Sequence, residues 1–312
     1  MNADKRALYR VPEGGRVAIV RLRSMGDCIL TTPSIEILKK TRPDLEIAVI
    51  VEDRFRAIFE GNPAVSATLD PGVSAIVRFR PGLCLNFHGG NRSMALTLAS
   101  RAPIRAGFAH HSGAFLYNVR IPRAQEILGA ERPVHTAEHL ASAMFYLGCP
   151  VQEIPRAHLY APPPRDSGRY AIVHPIATAE YKTWPPERFV RVAEYIRDAC
   201  GLEPIFIGGA TDDLSPFHGF RVFAGRPLEE SMSLIAGASL LVGNDSGPAH
   251  IAAAFDVPLI VLFGRLEHQV TWAPWRASNS SSLADPHGIA AIPTESVIAA
   301  VDRLSVSRRP LR

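Results

Sequence analysis

Leu240-Leu241-Val242-Gly243-Asn244-Asp245-Ser246-Gly247-Pro248-Ala249-His250 decides the fold. An apolar run gives way to small residues, and these open a helix. Gly243 and Gly247 let the backbone turn and approach a ligand closely. Asp245 or Ser246 can cap the helix, and Pro248 suits its first turn, where a missing N–H costs nothing. Free N–H groups at such a helix start attract an anion, and a diphosphate is a natural occupant. His250, one turn further in, faces either that ligand or the core. Taken alone, the stretch fits an anion site and an ordinary capped turn about equally well.

Two further turns share this setting. His174-Pro175-Ile176-Ala177-Thr178-Ala179-Glu180-Tyr181-Lys182-Thr183-Trp184-Pro185 also ends a strand and precedes a helix. Lys182 is a cation near the expected anion site, Thr178 and Thr183 add hydroxyls, and Trp184 reads as a packing anchor. Gly208-Gly209-Ala210-Thr211-Asp212-Asp213 follows another strand, and a carboxylate there suits a ribose diol. There is no G-x-G-x-x-G and no Walker A motif, so a dehydrogenase or a P-loop ATPase lacks its usual signature.

The same alternation runs along the whole chain. Strand patterns at 16–20, 46–51, 65–69 and 83–87 interleave with helical patterns at 27–40, 54–60, 91–100 and 135–147. After 161–168, where three consecutive prolines make the best linker, the pattern restarts. Strands are expected at 170–174, 204–207, 221–223, 240–242 and 258–263, and helices at 186–199, 228–236, 248–255 and 294–304. Such alternation predicts an α/β fold of parallel sheets covered on both faces. Two doubly wound halves, 1–160 and 161–312, imply a ligand cleft between them. The last helix, 294–304, is a candidate to pack back on the first half.

Composition agrees. The chain has 312 residues, enough for two cores, and its 21% of charged residues argue against global disorder. No apolar run approaches a membrane span, and the polar start leads into no signal core, so a cytoplasmic protein is expected. Cys28, Cys84, Cys149 and Cys200 lie far apart with no C-x-x-C pair, which argues against a zinc site and a disulfide framework. Residues 1–160 hold 20 Lys and Arg against 14 Asp and Glu, or +6, whereas residues 161–312 hold 14 against 16, or −2. The basic half favours an anionic partner, either a phosphorylated substrate or an anionic membrane surface. No basic run interleaved with aromatics points to nucleic acid.

That half begins Ile19-Val20-Arg21-Leu22-Arg23-Ser24-Met25-Gly26-Asp27-Cys28. The loop brings Arg21, Arg23 and Ser24 beside Asp27. Asp27 is either an N-cap or a general base for a bound hydroxyl. Arg54, Arg56, Arg78, Arg80 and Arg92 are further cations suited to carboxylate or phosphate.

In order along the chain, Ser24-Met25-Gly26-Asp27, His174-Pro175, Lys182-Thr183-Trp184-Pro185 and Gly243–His250 resemble the heptosyltransferase family, glycosyltransferase family 9. Smaller echoes are Arg105-Ala106-Gly107-Phe108, 135–148 and Ile292-Pro293-Thr294-Glu295-Ser296-Val297. The resemblance implies a GT-B fold of two Rossmann-like domains, the first for acceptor and the second for nucleotide sugar. It implies inverting transfer, with no required metal or other cofactor, from ADP-heptose to the Kdo or heptose of the lipopolysaccharide inner core. By the resemblance Asp27 is the catalytic base. Lys182, Asp245, Ser246 and Gly247 hold the diphosphate and donor sugar, with His250 close by. Thr178 and Thr183 are assigned to the donor as well, and Asp212 to the ribose. Arg21, Arg23, Ser24 and Arg92 are assigned to an anionic glycolipid acceptor. The sequence departs from the family at Ile176, where Gly is common, at Arg265-Leu266, where Pro and Thr usually follow Phe-Gly, and in a short loop after Gly209. All three lie on the donor side.

Two other readings stand beside this one: a GT-B transferase with another sugar donor, and a nucleotide-binding module without transferase activity. The acceptor assignment and the basic first half also imply peripheral contact with the cytoplasmic face of the inner membrane. The protein should therefore sediment with anionic lipid vesicles in low salt and dissociate as salt rises. Salt-independent partitioning, or none in low salt, would remove that inference.

Overall fold

The computed structural model describes residues 3–162 and 169–304, so residues 163–168 of the proline-rich linker lie outside the described residues. The chain divides into two compact units, Met1–Tyr160 and Ala161–Arg312.

The first unit alternates strand and helix. Its elements are β1 (Arg16–Val20), α1 (Met25–Thr41), β2 (Glu46–Ile50), β3 (Ala67–Leu69), α2 (Val73–Phe79), β4 (Leu83–Asn86), α3 (Asn91–Ala99), β5 (Ile104–Phe108), β6 (Val119–Ile121), α4 (Ala124–Leu128) and α5 (Thr136–Leu147). All pairings are parallel, and the order is β3-β2-β1-β4-β5-β6. Strands buried on both faces need no alternation, and Val17 to Val20 and Ile47 to Ile50 are all fully buried. Ile76 of α2 and Leu96 of α3 share a core cluster with Ala18, Val20, Ile50 and Cys84, so these helices cover one face. Helix α1 packs on α5. Helix α5 starts in a capping box, with His135 Nδ1 accepting from the Ala137 N–H and Glu138 accepting from the His135 N–H.

The second unit repeats the scheme. It holds β7 (Tyr170–His174), α6 (Pro186–Cys200), β8 (Glu203–Gly208), β9 (Arg221–Ala224), α7 (Leu228–Ala236), β10 (Leu240–Asn244), α8 (Gly247–Ala254), β11 (Leu259–Phe263), α9 (Leu266–Trp272), β12 (Ser280–Ala284) and α10 (Thr294–Arg303). The order is β12-β11-β10-β7-β8-β9, again all parallel. Helix α6 buries Phe189, Val192, Ala193 and Ile196, one stripe at helical spacing, and Gly201 ends it in the left-handed region. Trp184 is fully buried, stands edge-on to Phe189 and donates from Nε1 to the Ile292 carbonyl at 3.0 Å. The apolar face of α10, Val297, Ala300 and Val301, joins this same core against α6. Within its own unit, the last helix is thus seated against α6.

Both sheets have the strand order 3-2-1-4-5-6 of the Rossmann fold, counted within each unit. The chain leaves the first strand toward one face and the fourth strand toward the other. The crevice this opens at the strands' carboxyl ends is where such sheets bind ligands. In the first unit it lies after β1 and β4, and in the second after β7 and β10.

Candidate functional site

In the second unit, β7 and β10 meet at this crevice in close contact. A Cβ on Gly243 would stand 2.9 Å from the His174 carbonyl oxygen, so the pairing of these strands needs glycine there. Helix α8 begins at Gly247 with Pro248 in its first turn, and Ser246 is the N-cap residue without a side-chain cap bond. Its first N–H groups, with the helix dipole behind them, face the crevice. Asp245 precedes the helix and is buried. Lys182 Nζ contacts its carboxylate at 2.7 Å. The Ser246 hydroxyl lies 2.9 Å from His174 Nδ1. The two stretches 174–185 and 243–250 are thereby joined side chain to side chain.

The remaining donor-side residues are placed less uniformly. Thr178 is exposed on the loop after β7, while the Thr183 hydroxyl donates to the Ala179 carbonyl and closes a turn. Asp212 lies past the end of β8, where its carboxylate accepts the Gly209 N–H at 2.6 Å. His250 is buried, its ring edge-on to Trp272 at 6.3 Å. The departure at Arg265 has a partner: its guanidinium lies 4.7 Å from the centre of the Tyr181 ring, on the lysine-bearing loop.

In the first unit, helix α1 starts at Met25 with Ser24 as N-cap residue. The capping alternative for Asp27 is therefore displaced, because the helix starts two residues earlier than 27 and puts Asp27 in its first turn. One carboxylate oxygen is 3.3 Å from Arg21 Nη1, and the other accepts the Ser24 hydroxyl at 3.0 Å. Arg21 is buried, with Phe87 beside its guanidinium. It positions Asp27 from beneath. Arg23 is exposed, and Arg92 is engaged with the Pro71 carbonyl and, at 3.8 Å, with Glu52.

The two ion pairs are mirror images in exposure. In Arg21–Asp27 the cation side chain is 6% exposed and the carboxylate 26%. In Lys182–Asp245 the carboxylate is 6% exposed and the cation 19%. Each unit thus presents one charged group of opposite sign, held by a buried partner.

Sequence reading missed a group of imidazoles at the same edge of the first unit. His88 follows β4, His110 and His111 follow β5, and His139 lies in the first turn of α5. The His139 ring stacks on Phe108 at 4.0 Å, and His110 and His111 pack edge-on at 4.6 Å. Burial first, then neighbouring cations including Arg21, pushes His111 and His139 down to about 4. The four histidines are scattered in sequence, and β5, which places His110 and His111 beside the other two, is a strand the hydropathy pattern does not reveal. Burial raises the thiols of Cys28 to about 12 and of Cys84 and Cys149 to about 11, which suits small core residues.

A profile of Glycosyltransferase family 9 (heptosyltransferase) matches residues 82–288, more than half of the chain. Lipopolysaccharide heptosyltransferase 3 of Escherichia coli strain K12 is 26% identical, over 91% of this chain and 96% of its own length. Lipopolysaccharide heptosyltransferase 1 of the same strain is 24% identical, over 80% and 88%. Among solved structures, a family 9 glycosyl transferase from Veillonella parvula superposes with a TM-score of 0.79 at 21% identity, covering 93% of this chain and 97% of that one. The E. coli heptosyltransferase WaaC with ADP superposes at 0.75 and 20%, covering 93% and 99%. The fold is therefore that of the GT-B heptosyltransferases.

One pH dependence follows from the crevice of the second unit. Burial holds the His174 imidazole down at about 4, with Asp212 opposing only in part. Its folded value lies below the ordinary one near 6.5, so its neutral form stabilises the fold fully above about pH 6.5. That contribution, about 2–3 kcal/mol, is lost as pH falls toward 4. The three tryptophans, Trp184, Trp272 and Trp275, all belong to this unit and report its unfolding. Urea midpoints followed by tryptophan fluorescence should fall between pH 7 and 4.5, and His174→Asn should flatten that fall. An equally steep fall in the variant would exclude His174 as its source.

Proposed function

The chain belongs to glycosyltransferase family 9, the heptosyltransferases, and on that premise we propose that it moves a heptose from ADP-heptose onto a Kdo or heptose of the lipopolysaccharide inner core, with inversion. The observation that carries this reading is the Lys182–Asp245 pair at the head of α8, beside the N–H groups of its first turn. A nucleoside diphosphate placed there would meet the ammonium and the helix N-terminus together. That the relatives are lipopolysaccharide heptosyltransferases, and that one solved neighbour holds ADP, supports this choice of donor and acceptor.

The chemistry asks little beyond these groups. Asp27, oriented by Arg21 and Ser24, takes the proton of the acceptor hydroxyl as its oxygen bonds to the anomeric carbon. The bond from that carbon to the diphosphate oxygen breaks, and ADP leaves as an anion. Lys182 and the N-terminal N–H groups of α8 stabilise the charge that grows on the leaving oxygen, a task that needs no metal in this reading. Single displacement at the anomeric carbon inverts it and requires one carboxylate as base. Thr178, Ser246, Gly247 and His250 line the donor side in this assignment, and Thr183 holds the turn that carries Lys182. Asp212, past the strand next to β7, is assigned to the ribose, as acidic residues are in dinucleotide folds. Arg23, Ser24 and Arg92 are assigned to the anionic acceptor, which brings the enzyme to the cytoplasmic face of the inner membrane, whereas Arg21, expected there too, is buried against Asp27 and is assigned to its support. No helix among the described residues is long and apolar enough to cross it.

Two measurements test this reading. Asp27→Asn should bind donor as the wild type does and lose turnover by about three orders of magnitude. A variant that transfers sugar normally would remove Asp27 as the base, and loss of donor binding would point to a structural role. ADP should raise the melting temperature more than UDP or GDP at equal concentration. A larger shift with UDP or GDP would replace the heptose donor with another nucleotide sugar, the reading that the departures at Ile176 and Arg265 would then explain.

A further inference from the structure

Each sheet ends its fourth strand in a fully buried asparagine: Asn86 closes β4 and Asn244 closes β10. The two positions are topologically equivalent, each on the strand beside the crevice of its own unit. A buried primary amide is costly unless its hydrogen bonds are made.

The bonds go to the site loops. Asn244 Oδ1 accepts the Trp184 N–H at 3.3 Å, and Nδ2 donates to the Pro175 carbonyl at 2.7 Å. These residues are the two ends of the loop that carries Lys182. Asn86 Oδ1 accepts the N–H groups of His88 and Gly89, at 2.9 and 3.1 Å. Its Nδ2 donates to the Ser93 and Tyr117 hydroxyls, at 3.1 and 3.0 Å, so the amide is fully used. His88 Nδ1 in turn lies 3.1 Å from the Arg23 carbonyl, which ties this loop to the one bearing Arg21 and Asp27.

We propose that Asn86 and Asn244 are paired positioning residues, Asn244 setting Lys182 for the donor and Asn86 setting the Asp27 loop for the acceptor. Neither amide touches a reacting atom in this assignment, and each acts through the loop it closes. The assignment of donor and acceptor rests on the proposed function, while the latches themselves do not.

The test uses the full chain with Asn→Leu at each position, which keeps volume and removes the amide, and Asn→Asp, which keeps the accepting oxygen and removes the donating nitrogen. In Asn244→Leu the dissociation constant for ADP should rise at least about tenfold, with the KM for a Kdo-terminated acceptor within about twofold of wild type. Asn86→Leu should show the reverse split. Amide hydrogen exchange at Trp184 should speed up about tenfold in Asn244→Leu alone, and at His88 and Gly89 in Asn86→Leu alone. A leucine variant that fails to fold is replaced by its aspartate counterpart, for which the same split of smaller size is expected. Folded variants with wild-type ADP affinity, acceptor KM and exchange would overturn the proposal. So would variants that weaken both substrates equally, since that is what general destabilisation does. If wild-type protein fails to bind ADP, the functional reading falls, and the exchange pattern alone then decides whether the latches exist.

Discussion

The structure depends on how a parallel sheet satisfies its backbone where neighbouring strands send the chain to opposite faces. At that point the ladder ends, the loops diverge, and N–H and C=O groups lose their strand partners while still shielded from water. A crevice that binds ligands is thus also a place where the fold is short of hydrogen bonds. Here the shortfall is met by two buried amides: Asn86 bonds N–H groups of the loop after the fourth strand of the first sheet, and Asn244 bonds both ends of the loop after the first strand of the second. A primary amide suits this place because it donates and accepts without a charge to desolvate. An aspartate would bring a buried charge and no donor.

The same economy shapes the two ion pairs. A carboxylate beside a helix start proposed to hold a diphosphate looks self-defeating, since it carries the ligand's own sign. Its burial resolves this. Asp245 is the buried member of the pair and Lys182 the more exposed one, so the pair turns its cation outward beside the helix start. In the first unit the arrangement is inverted, and the buried Arg21 presents the carboxylate of Asp27. An arginine stays charged when buried, so it can hold the carboxylate in place as a fixed cation. Removing either buried member would strand its partner, which is the costly way to break such a pair.

Much of this was legible in the sequence because the decisive segments are local. Strands of the central sheet read as apolar runs, and the turns after β7 and β10 announce themselves through glycine, proline and small polar residues. What escaped depends on tertiary context. Strand β12 reads Ser-Ser-Ser-Leu-Ala, a poor strand by composition, and exists because β11 offers it an edge. Strand β5 carries Arg105 and Gly107, and β6 spans only Val119–Ile121. Missing these strands hid the histidine group, since the position of His110 and His111 follows from β5. Which residue opens α1 was hidden for a different reason. Ser24 and Asp27 both suit a helix start, and spacing alone does not choose between them. Asn244 stood in plain view within the Gly243–His250 motif, yet its partners are 60 and 69 residues away, and no local pattern reveals them.

The departure at Arg265 gains meaning from its neighbour. A Cβ on Gly264 would lie 2.0 Å from the Tyr181 carbonyl oxygen, so the lysine-bearing loop rests directly on the backbone at the end of β11. Position 264 is therefore closed to change. At position 265 the arginine turns back over the Tyr181 ring. Backbone contact at Gly264 and side-chain contact at Arg265 thus bear on the same loop, the one that carries Lys182.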